Sequence, residues 1–361
     1  MQKEMISARQ MVCIIVMLIF GSSVIMGVSS EAAQDSWISL LLAEVIAAPI
    51  ILIYARIIKL FPEKDLFEII EILFGKIAGK IIIILMIWYS IHLCALVLRN
   101  FSEFVQIAMM PETPQLPIMI AMIMVVVYMA KSGIETMGKW SIIMLSIIML
   151  VVILTILLSI NKMDFTNILP VMEHDFRTIA TGAFQLFSFP YAETVLLLCL
   201  ASAIKKKDSP YKLYMYATLS GTVILLLVIL RNLFLLGPEM VAASYFPSYV
   251  AVRIINVADF LARMEGFIAM NFILAGIIKI TVCLMAASKG TASLFGIKNY
   301  RQILLPVSLL VVALSAIIYK NVMEMFDFLR IYKYYAIPFQ IIIPLAIWIT
   351  AEIKLSKKRA A

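Results

Sequence analysis

Three ionisable residues lie inside long apolar segments, where no water stabilises a charge: Glu44, Glu193 and Lys279. Ionisable groups in such segments face the protein interior in most membrane proteins, where they bind or relay protons and ions. We therefore consider all three for proton or ion coupling. The alternatives are a protonated, structural carboxyl group for the two glutamates and, for Lys279, an ammonium group that extends to the inner membrane surface.

The segment that contains Glu193 is interrupted by aromatic and small residues: Phe187, Ser188, Phe189, Pro190 and Tyr191. Proline removes one backbone donor from a helix and collides with the preceding turn. Within a bilayer, non-helical backbone survives only where it is buried in protein or lines a cavity. The interruption therefore predicts a binding cavity whose apolar walls are supplied by the aromatic side chains.

A second apolar segment, residues 8–30, carries small residues well inside it: Gly21, Ser22, Ser23 and Gly27. If the helix unwinds there, the half-helix that follows presents N–H groups that favour an anion such as a carboxylate. The half-helix that ends near Phe187 presents carbonyl groups that favour an ammonium group or a metal cation. Together the two breaks suit a zwitterion such as an amino acid. The alternative is that glycine and proline only kink two packed helices.

Further polar residues within the apolar segments are candidates for the same site or for a gate. His92 and Asn271 could line the site, although a buried histidine is more often a hydrogen-bonded structural residue and an asparagine can simply cross-link helices. Six charged residues near the predicted outer ends could form an outer gate whose ion pairs break on opening: Arg99, Glu103, Arg231, Asp259, Arg263 and Glu265. Extension of these side chains to the lipid headgroups is the competing explanation.

The segments that position these residues are too apolar for a soluble protein. Of 361 residues, 63% are apolar and 14% are charged, and the mean hydropathy is +1.04. A membrane-spanning helix needs about 20 apolar residues. We predict a single all-α membrane domain, residues 1–361, with ten spans at about 8–30, 37–60, 81–108, 116–131, 141–160, 178–203, 213–236, 257–285, 303–319 and 334–354.

The positions of lysine and arginine predict how these spans are oriented. With the N-terminus inside, the inner segments hold 20 of these residues and the outer loops hold six. Because cytoplasmic loops carry an excess of such cations, both termini are predicted to be cytoplasmic. The net charge of +8 then reflects topology and contact with lipid headgroups, and we expect no nucleic-acid partner.

The ten spans divide into two sets of five, residues 8–160 and 178–354. Because five is odd, the second set starts from the opposite side of the membrane and is inverted. The first span of each set is the interrupted one. Interrupted segments at matching positions in two halves are the best sequence-level indication of a transporter-type binding site.

Two connecting segments also have informative patterns. Residues 63–80 place apolar side chains at helical spacing between charges, which predicts a helix on the inner membrane surface. Residues 237–256 are long and aromatic and could cover the outer mouth as a lid. An ordinary interfacial aromatic belt is the alternative for this segment.

Motifs typical of enzymes are absent from the sequence. There is no nucleophile elbow and no phosphate-binding glycine loop. The four cysteines are widely spaced within apolar runs and match neither a disulfide framework nor a metal site: Cys13, Cys94, Cys199 and Cys283. We expect no enzymatic activity, no cofactor and no metal.

Several motifs resemble one family of membrane proteins. They are Ile6-Ser7-Ala8-Arg9-Gln10, Phe189-Pro190-Tyr191, the run from Phe246 to Arg253, Arg263-Met264-Glu265-Gly266, and Lys279 with the run from Ala286 to Gly290. Over nearly its whole length the chain resembles the B subunits of bacterial spore germinant receptors, also called endospore germination permeases. That family is similar to the amino acid–polyamine–organocation transporters. The resemblance therefore implies a LeuT-like fold, a five-plus-five inverted repeat with broken first and sixth helices.

The same resemblance implies a function in the spore inner membrane. The protein would sense a small-molecule germinant, an amino acid above all, together with an A subunit and a lipoprotein C subunit. Two other hypotheses stay open: an amino acid transporter coupled to protons or sodium, and a membrane scaffold whose broken helices are vestigial. The fold itself suits the sensor and the transporter equally.

Overall fold

The chain folds into helices because a backbone in hydrocarbon must satisfy its own N–H and C=O groups. The computed structural model describes residues 4–24, 30–254 and 264–360, and these contain no strand. The helices are α1 (Ala8–Ser23), α2 (Ser36–Leu60), α3 (Leu66–Ala108), α4 (Gln115–Ser132), α5 (Ile134–Ser159), α6 (Phe176–Leu186), α7 (Pro210–Ala243), α8 (Pro247–Arg253), α9 (Met264–Phe295), α10 (Leu304–Ile317), α11 (Val322–Tyr335) and α12 (Ile343–Ala360).

Eight helical stretches in the described part of the chain are long and apolar enough to cross a bilayer. The helices α1 and α10 are apolar but shorter. Each of the ten predicted runs overlaps one of these ten helical stretches, so the all-α membrane architecture is confirmed. The count of ten spans and their inverted repeat stay predictions.

Helix α3 begins with the predicted surface helix and then turns into a long span. Asp65 caps it by accepting the backbone N–H groups of Phe67 and Glu68, both at 3.1 Å. Regular helical geometry stops at Gly75, whose φ of +72° is a left-handed conformation that glycine adopts without strain. The segment before it is amphipathic as predicted, with Leu66, Phe67, Ile69, Ile70 and Leu73 buried.

Helix α9 lies at the centre and packs against α3, α1, α5 and α4. Two glycines let it approach α3 closely. A Cβ atom at Gly276 would lie 2.5 Å from the ring of Phe101, and one at Gly290 would lie 2.7 Å from the ring of Phe67. These side chains therefore fill the space that a larger residue in α9 would need.

The connection between α7 and α9 contains the short helix α8, which packs on both of these helices. Asn232 in α7 donates a hydrogen bond to the Ser248 hydroxyl in α8, at 2.9 Å. The Tyr249 hydroxyl donates to the carbonyl of Ala108 at the end of α3, at 2.8 Å. These contacts hold α8 against the membrane helices, and the lid stays a prediction.

The sixth apolar run has three successive helical geometries. Helix α6 ends at Leu186, a wide π-type turn covers Phe187–Tyr191, and a tighter 3₁₀ helix follows at Ala192–Ala203. Inside the turn, Phe189 has φ −139° and ψ 102°, which is extended rather than helical. The interruption thus lies at the residues where proline predicted it.

The first apolar run differs from the prediction. Gly21, Ser22 and Ser23 form the last turn of α1 and are not unwound. Helical hydrogen bonding is kept to the end of this turn, since the Val24 N–H donates to the carbonyl of Phe20 at 3.3 Å. The expected break at Gly27 lies outside the described residues.

Candidate ligand-binding site

A buried ion pair lies directly beside the interruption of the sixth run. Lys279 of α9 places its Nζ atom 2.5 Å from Oε2 of Glu193, and both side chains are completely inaccessible to solvent. Lys279 therefore does not extend to the membrane surface, which corrects that alternative. In a medium of low dielectric constant, each charge depends on its partner, because an unpaired buried ion is strongly destabilising.

A chain of hydrogen bonds leads to this carboxylate from Gln340, which lies in a second π-type turn at Pro338–Ile342. The Tyr332 hydroxyl donates to Oε1 of Glu193 at 2.9 Å, and its oxygen lies 3.1 Å from the Tyr89 hydroxyl. The Gln340 amide donates to the Tyr89 oxygen at 2.9 Å. Because Tyr332 donates to Glu193, the Tyr89 hydroxyl must donate to Tyr332, so every donor points toward the carboxylate.

The same network is anchored in the interruption itself. The Gln340 amide donates to the carbonyl of Ser188 at 2.8 Å, and the Ser188 hydroxyl donates back to Gln340 Oε1 at 3.0 Å. The Tyr54 hydroxyl of α2 donates to the carbonyl of Gln340 at 2.5 Å. Four helices, α2, α3, α9 and α11, therefore contribute to one buried polar network. The two π-type turns and the 3₁₀ helix at Ala192–Ala203 contribute to it as well.

Sequence reasoning missed Tyr89, Tyr332 and Gln340. A signal for Gln340 exists, because it is a polar amide inside an apolar run, as Asn271 is. The two tyrosines carry no such signal, because tyrosine is common both in membrane interiors and at membrane interfaces.

Phe189 lies between Lys279 and a narrow cavity that Glu193 also lines. Its ring is half-buried, and Lys279 Nζ lies 4.6 Å from the ring centroid, in the geometry of a cation–π contact. Phe189, Glu193 and Tyr332 line the cavity together with Leu93, Leu96, Val97, Asn100, Tyr319, Phe328 and Leu329. Its volume of about 10 Å³ has room for about one water molecule, so a larger ligand does not fit between these side chains as they stand.

The end of α1 completes the site on another side. A Cβ atom at Gly21 would lie 3.2 Å from Cδ of Lys279, so the absence of a side chain lets the lysine stem pass. Ser22 is fully buried, and its hydroxyl has no hydrogen-bond partner within the described residues. Ser23 donates to the carbonyl of Ile19 at 3.1 Å. The first and sixth runs therefore both contact Lys279.

Two other residues of the interruption point elsewhere. The Tyr191 hydroxyl lies 2.5 Å from the Thr222 hydroxyl of α7, which donates to Oε2 of Glu44 at 3.0 Å. Glu44 is half-buried and belongs to this second polar cluster. Phe187 is buried and stacks on Phe184, with ring centroids 5.7 Å apart. Pro190 is buried within the turn.

His92 and Asn271 do not contact the ion pair. The His92 ring packs against aromatic rings of Trp88, Phe328 and Tyr335, and its Nδ1 atom has no hydrogen-bond partner in the described part of the chain. Asn271 donates to the carbonyl of Ile148 in α5 at 3.4 Å. This contact fits the helix cross-linking alternative for Asn271.

The six residues of the predicted outer gate do not all come together. Arg99 and Glu103 form a buried ion pair at 2.7 Å within α3. Arg231 is 2% exposed and donates to Thr155 at 2.9 Å and to Asn232 at 2.8 Å. Extension to lipid headgroups is thus wrong for these three side chains, because they are buried. Asp259 and Arg263, and the side chain of Glu265, lie outside the described residues.

Comparison with known protein families identifies the family of this chain. Residues 5–350 match the family model for spore germination proteins of the spore permease type. The chain belongs to this family. A relative from Bacillus subtilis (strain 168), spore germination protein KB, is 28% identical over 364 residues, which cover 99% of this chain and 97% of the relative.

Solved transporter structures share the fold of this family member. MhsT in complex with L-phenylalanine superposes with a TM-score of 0.67 and 11% identity, covering 92% of this chain and 87% of MhsT. Mhp1, a nucleobase-cation-symport-1 family transporter, superposes in its closed conformation with bromovinylhydantoin, with a TM-score of 0.69 and 9% identity. The match covers 91% of this chain and 75% of Mhp1. The chain is therefore a membrane protein of the spore germination family, with the fold of known transporters.

Proposed function

We propose that this protein is the membrane subunit of a germinant receptor that binds a small nutrient molecule between the end of α1 and the interruption at Phe187–Tyr191. The observation that carries the proposal is the narrow cavity beside the non-helical Phe189, next to a fully buried ion pair. Irregular backbone, apolar walls and a few convergent polar groups are the usual features of a ligand site.

The proposed architecture is a five-plus-five inverted repeat in which the first and sixth helices are broken at matching positions. The packing of α1 against Phe187–Tyr191 and Ala192–Ala203 supports the meeting of these two helices. An amino acid is the proposed ligand, since a zwitterion suits the opposite ends of two half-helices. The similarity in fold to MhsT supports this choice, because MhsT was solved in complex with L-phenylalanine.

Signalling requires that the ligand favour one conformation over another. The cavity is smaller than any amino acid, so binding must move Phe189 and its neighbours apart. We place the protein in the spore inner membrane with both termini in the cytoplasm, where an A subunit and a lipoprotein C subunit would sense this change.

Thermal unfolding of the purified protein tests the binding site. Amino acids, sugars and nucleosides are added in turn, and the germinant raises the midpoint temperature because it binds only the folded state. Phe189→Ala is expected to change which compound stabilises most. Phe295→Ala is a matched control, because that phenylalanine is 71% exposed at the end of α9. An unchanged ligand preference in folded Phe189→Ala protein would contradict the proposed site.

A proton- or sodium-coupled amino acid transporter is the second candidate. The hydrogen-bond chain that ends at Glu193 favours it, because such a chain can supply or remove a proton. Glu44, with its threonine and tyrosine partners, is a second candidate for coupling. Uptake of labelled amino acids into protein-containing vesicles separates the two functions. Saturable accumulation driven by a proton or sodium gradient identifies a transporter, and its absence alongside ligand binding identifies a sensor.

A further inference from the structure

We infer that the Glu193–Lys279 ion pair is an internal substitute for a zwitterionic ligand, and that an α-amino acid binds by inserting between the two charges. The ligand's ammonium group would then pair with Glu193 and its carboxylate with Lys279. This inference rests on the proposed function and names the charged partners of the ligand within the same site.

The hydrogen bonding of the pair indicates that it is not a saturated structural contact. An ammonium group can donate three hydrogen bonds and a carboxylate can accept about four. The described contacts of Lys279 Nζ are one bond to Glu193 and the face of Phe189. Glu193 accepts from Lys279 and Tyr332. Among the described residues, both groups therefore keep unused hydrogen-bonding capacity.

The position of the pair gives a ligand a route to it. Glu193 itself lines the narrow cavity, whereas Lys279 lies behind the half-buried ring of Phe189. Because Phe189 has extended backbone angles and is not held in a regular helix, its ring is the element that can move. Rotation of this side chain would join the cavity to the lysine.

The need to pair both buried charges selects the class of ligand. When a zwitterion separates the pair, each buried charge exchanges one partner for another and the net charge of the site stays zero. A simple cation or anion would leave one protein charge unpaired, and an uncharged sugar would pair neither, which is costly in a medium of low dielectric constant. The site therefore discriminates by charge before side-chain shape is read.

Insertion also explains how binding could be sensed. The pair joins α9 to the 3₁₀ helix that begins at Ala192. A ligand between them must increase their separation, and Tyr332 of α11 follows through its bond to Glu193. Binding energy is thus converted into a displacement of the sixth run relative to α9.

The test uses the full-length protein in lipid nanodiscs and its thermal unfolding midpoint as a function of ligand concentration. The probes are the natural L-amino acids, D-glucose and inosine. For the amino acid with the tightest binding, its methyl ester and its N-acetyl derivative are then measured. We expect each derivative to bind at least about 30-fold more weakly, because each leaves one buried charge unpaired.

Two variants test the residues directly. The exchange E193K with K279E keeps an ion pair but reverses it, and we expect amino acid binding to weaken at least about 30-fold. The matched control is R56E with E352R, which reverses a 2.6 Å ion pair of partly exposed side chains and should keep wild-type binding. If the reversed pair does not fold, E193Q with K279M removes both charges, a replacement that buried pairs tolerate, and it should lose binding equally.

The outcomes separate the inference from the proposed function. Equal binding of the free amino acid and its derivatives, undiminished binding by the neutral double variant, or stabilisation by glucose or inosine alone overturns the inference and leaves a small-molecule sensor in place. No stabilisation by any compound overturns the proposed function and the inference with it.

Discussion

Tyr332 donates a hydrogen bond to Oε1 of Glu193, whereas Lys279 contacts the other carboxylate oxygen, Oε2. The Tyr332 hydroxyl also receives the hydrogen bond from Tyr89. Buried polar networks of this kind stabilise a structure only while every member is satisfied, since each orphaned group costs its full desolvation energy. The hydroxyl of one tyrosine therefore affects the tyrosine and the carboxylate on either side of it.

Removal of this hydroxyl should destabilise the protein. In Tyr332→Phe, Glu193 Oε1 loses its donor and the Tyr89 hydroxyl loses its acceptor, so we expect a loss of about 1–3 kcal/mol in the free energy of unfolding. Denaturant unfolding in mixed micelles measures it. Tyr334→Phe is the control, because that side chain is 63% exposed and should change stability little. Equal stability of the two variants would show that the network is not maintained.

Helices α3 and α9 form the central contact of the bundle, and glycine decides how closely they approach. Small residues at helix interfaces allow this close approach. In a membrane no hydrophobic driving force brings helices together, so their association depends on such packing. Gly276 lies against the ring of Phe101. The position of Lys279 one turn further along α9 depends on the same contact.

A methyl group at this interface should be costly. In Gly276→Ala, the new Cβ atom would lie 2.5 Å from the Phe101 ring, and overpacking of this kind costs about 1–3 kcal/mol. The double variant with Phe101→Leu should recover part of the loss, because residues in contact couple energetically. Gly266→Ala has no atom within 4 Å of its added Cβ and serves as the control in the same unfolding assay. Purely additive effects would contradict the contact.

The start of α6 has a pH-dependent cap. Asp175 accepts a hydrogen bond from the Thr178 hydroxyl at 2.5 Å and from the Thr178 backbone N–H at 3.3 Å. The hydroxyl bond is the main reason that the pKa of Asp175 lies below its ordinary value of 3.8. The folded protein therefore binds fewer protons at this residue than the unfolded chain does.

The sign of the pH effect follows from this lowered pKa. The stabilisation is fully present above the unfolded pKa of 3.8 and is lost as the pH falls through the lower folded value. We expect Asp175→Asn, which keeps an acceptor but does not ionise there, to lose less stability on acidification than the wild type. Thermal unfolding at a series of acidic pH values measures the two slopes, and identical slopes would contradict the assignment.

The whole molecule has few charged residues in its apolar interior and many on one predicted side. The proposed topology places residues 205–207 in the cytoplasm and residues 163–175 outside. The native cysteines, Cys13, Cys94, Cys199 and Cys283, are all buried. Thiol labelling can therefore report on introduced cysteines alone.

Labelling with a membrane-impermeant maleimide tests this orientation. Lys207 is exposed and Met172 is 61% exposed. In right-side-out vesicles we expect Met172→Cys to react and Lys207→Cys to react only after the membrane is permeabilised. The unsubstituted protein is the background control. The reverse pattern would invert the topology and place both termini outside.

Several features of this protein are determined by the sequence alone. Composition requires a membrane solvent, and a bilayer requires helices, since no other open structure satisfies its backbone there. Pro190 predicted an interruption at Phe187–Tyr191, because proline lacks the backbone N–H that a helix needs and collides with the preceding turn. The family resemblance rested on local motifs, and the comparison confirmed it.

Only the tertiary structure decided which polar residues act together. Glu193 and Lys279 lie 86 residues apart, and no spacing along the chain reveals that two helices place them in contact. Gly21 was predicted as a point of unwinding, whereas the structure uses it as space for the lysine stem. The outer charges were predicted as one gate, yet Arg99 and Arg231 are buried in separate networks. Hydrophobic periodicity selects helices and their buried faces, but partners across the bundle depend on packing that unites distant segments.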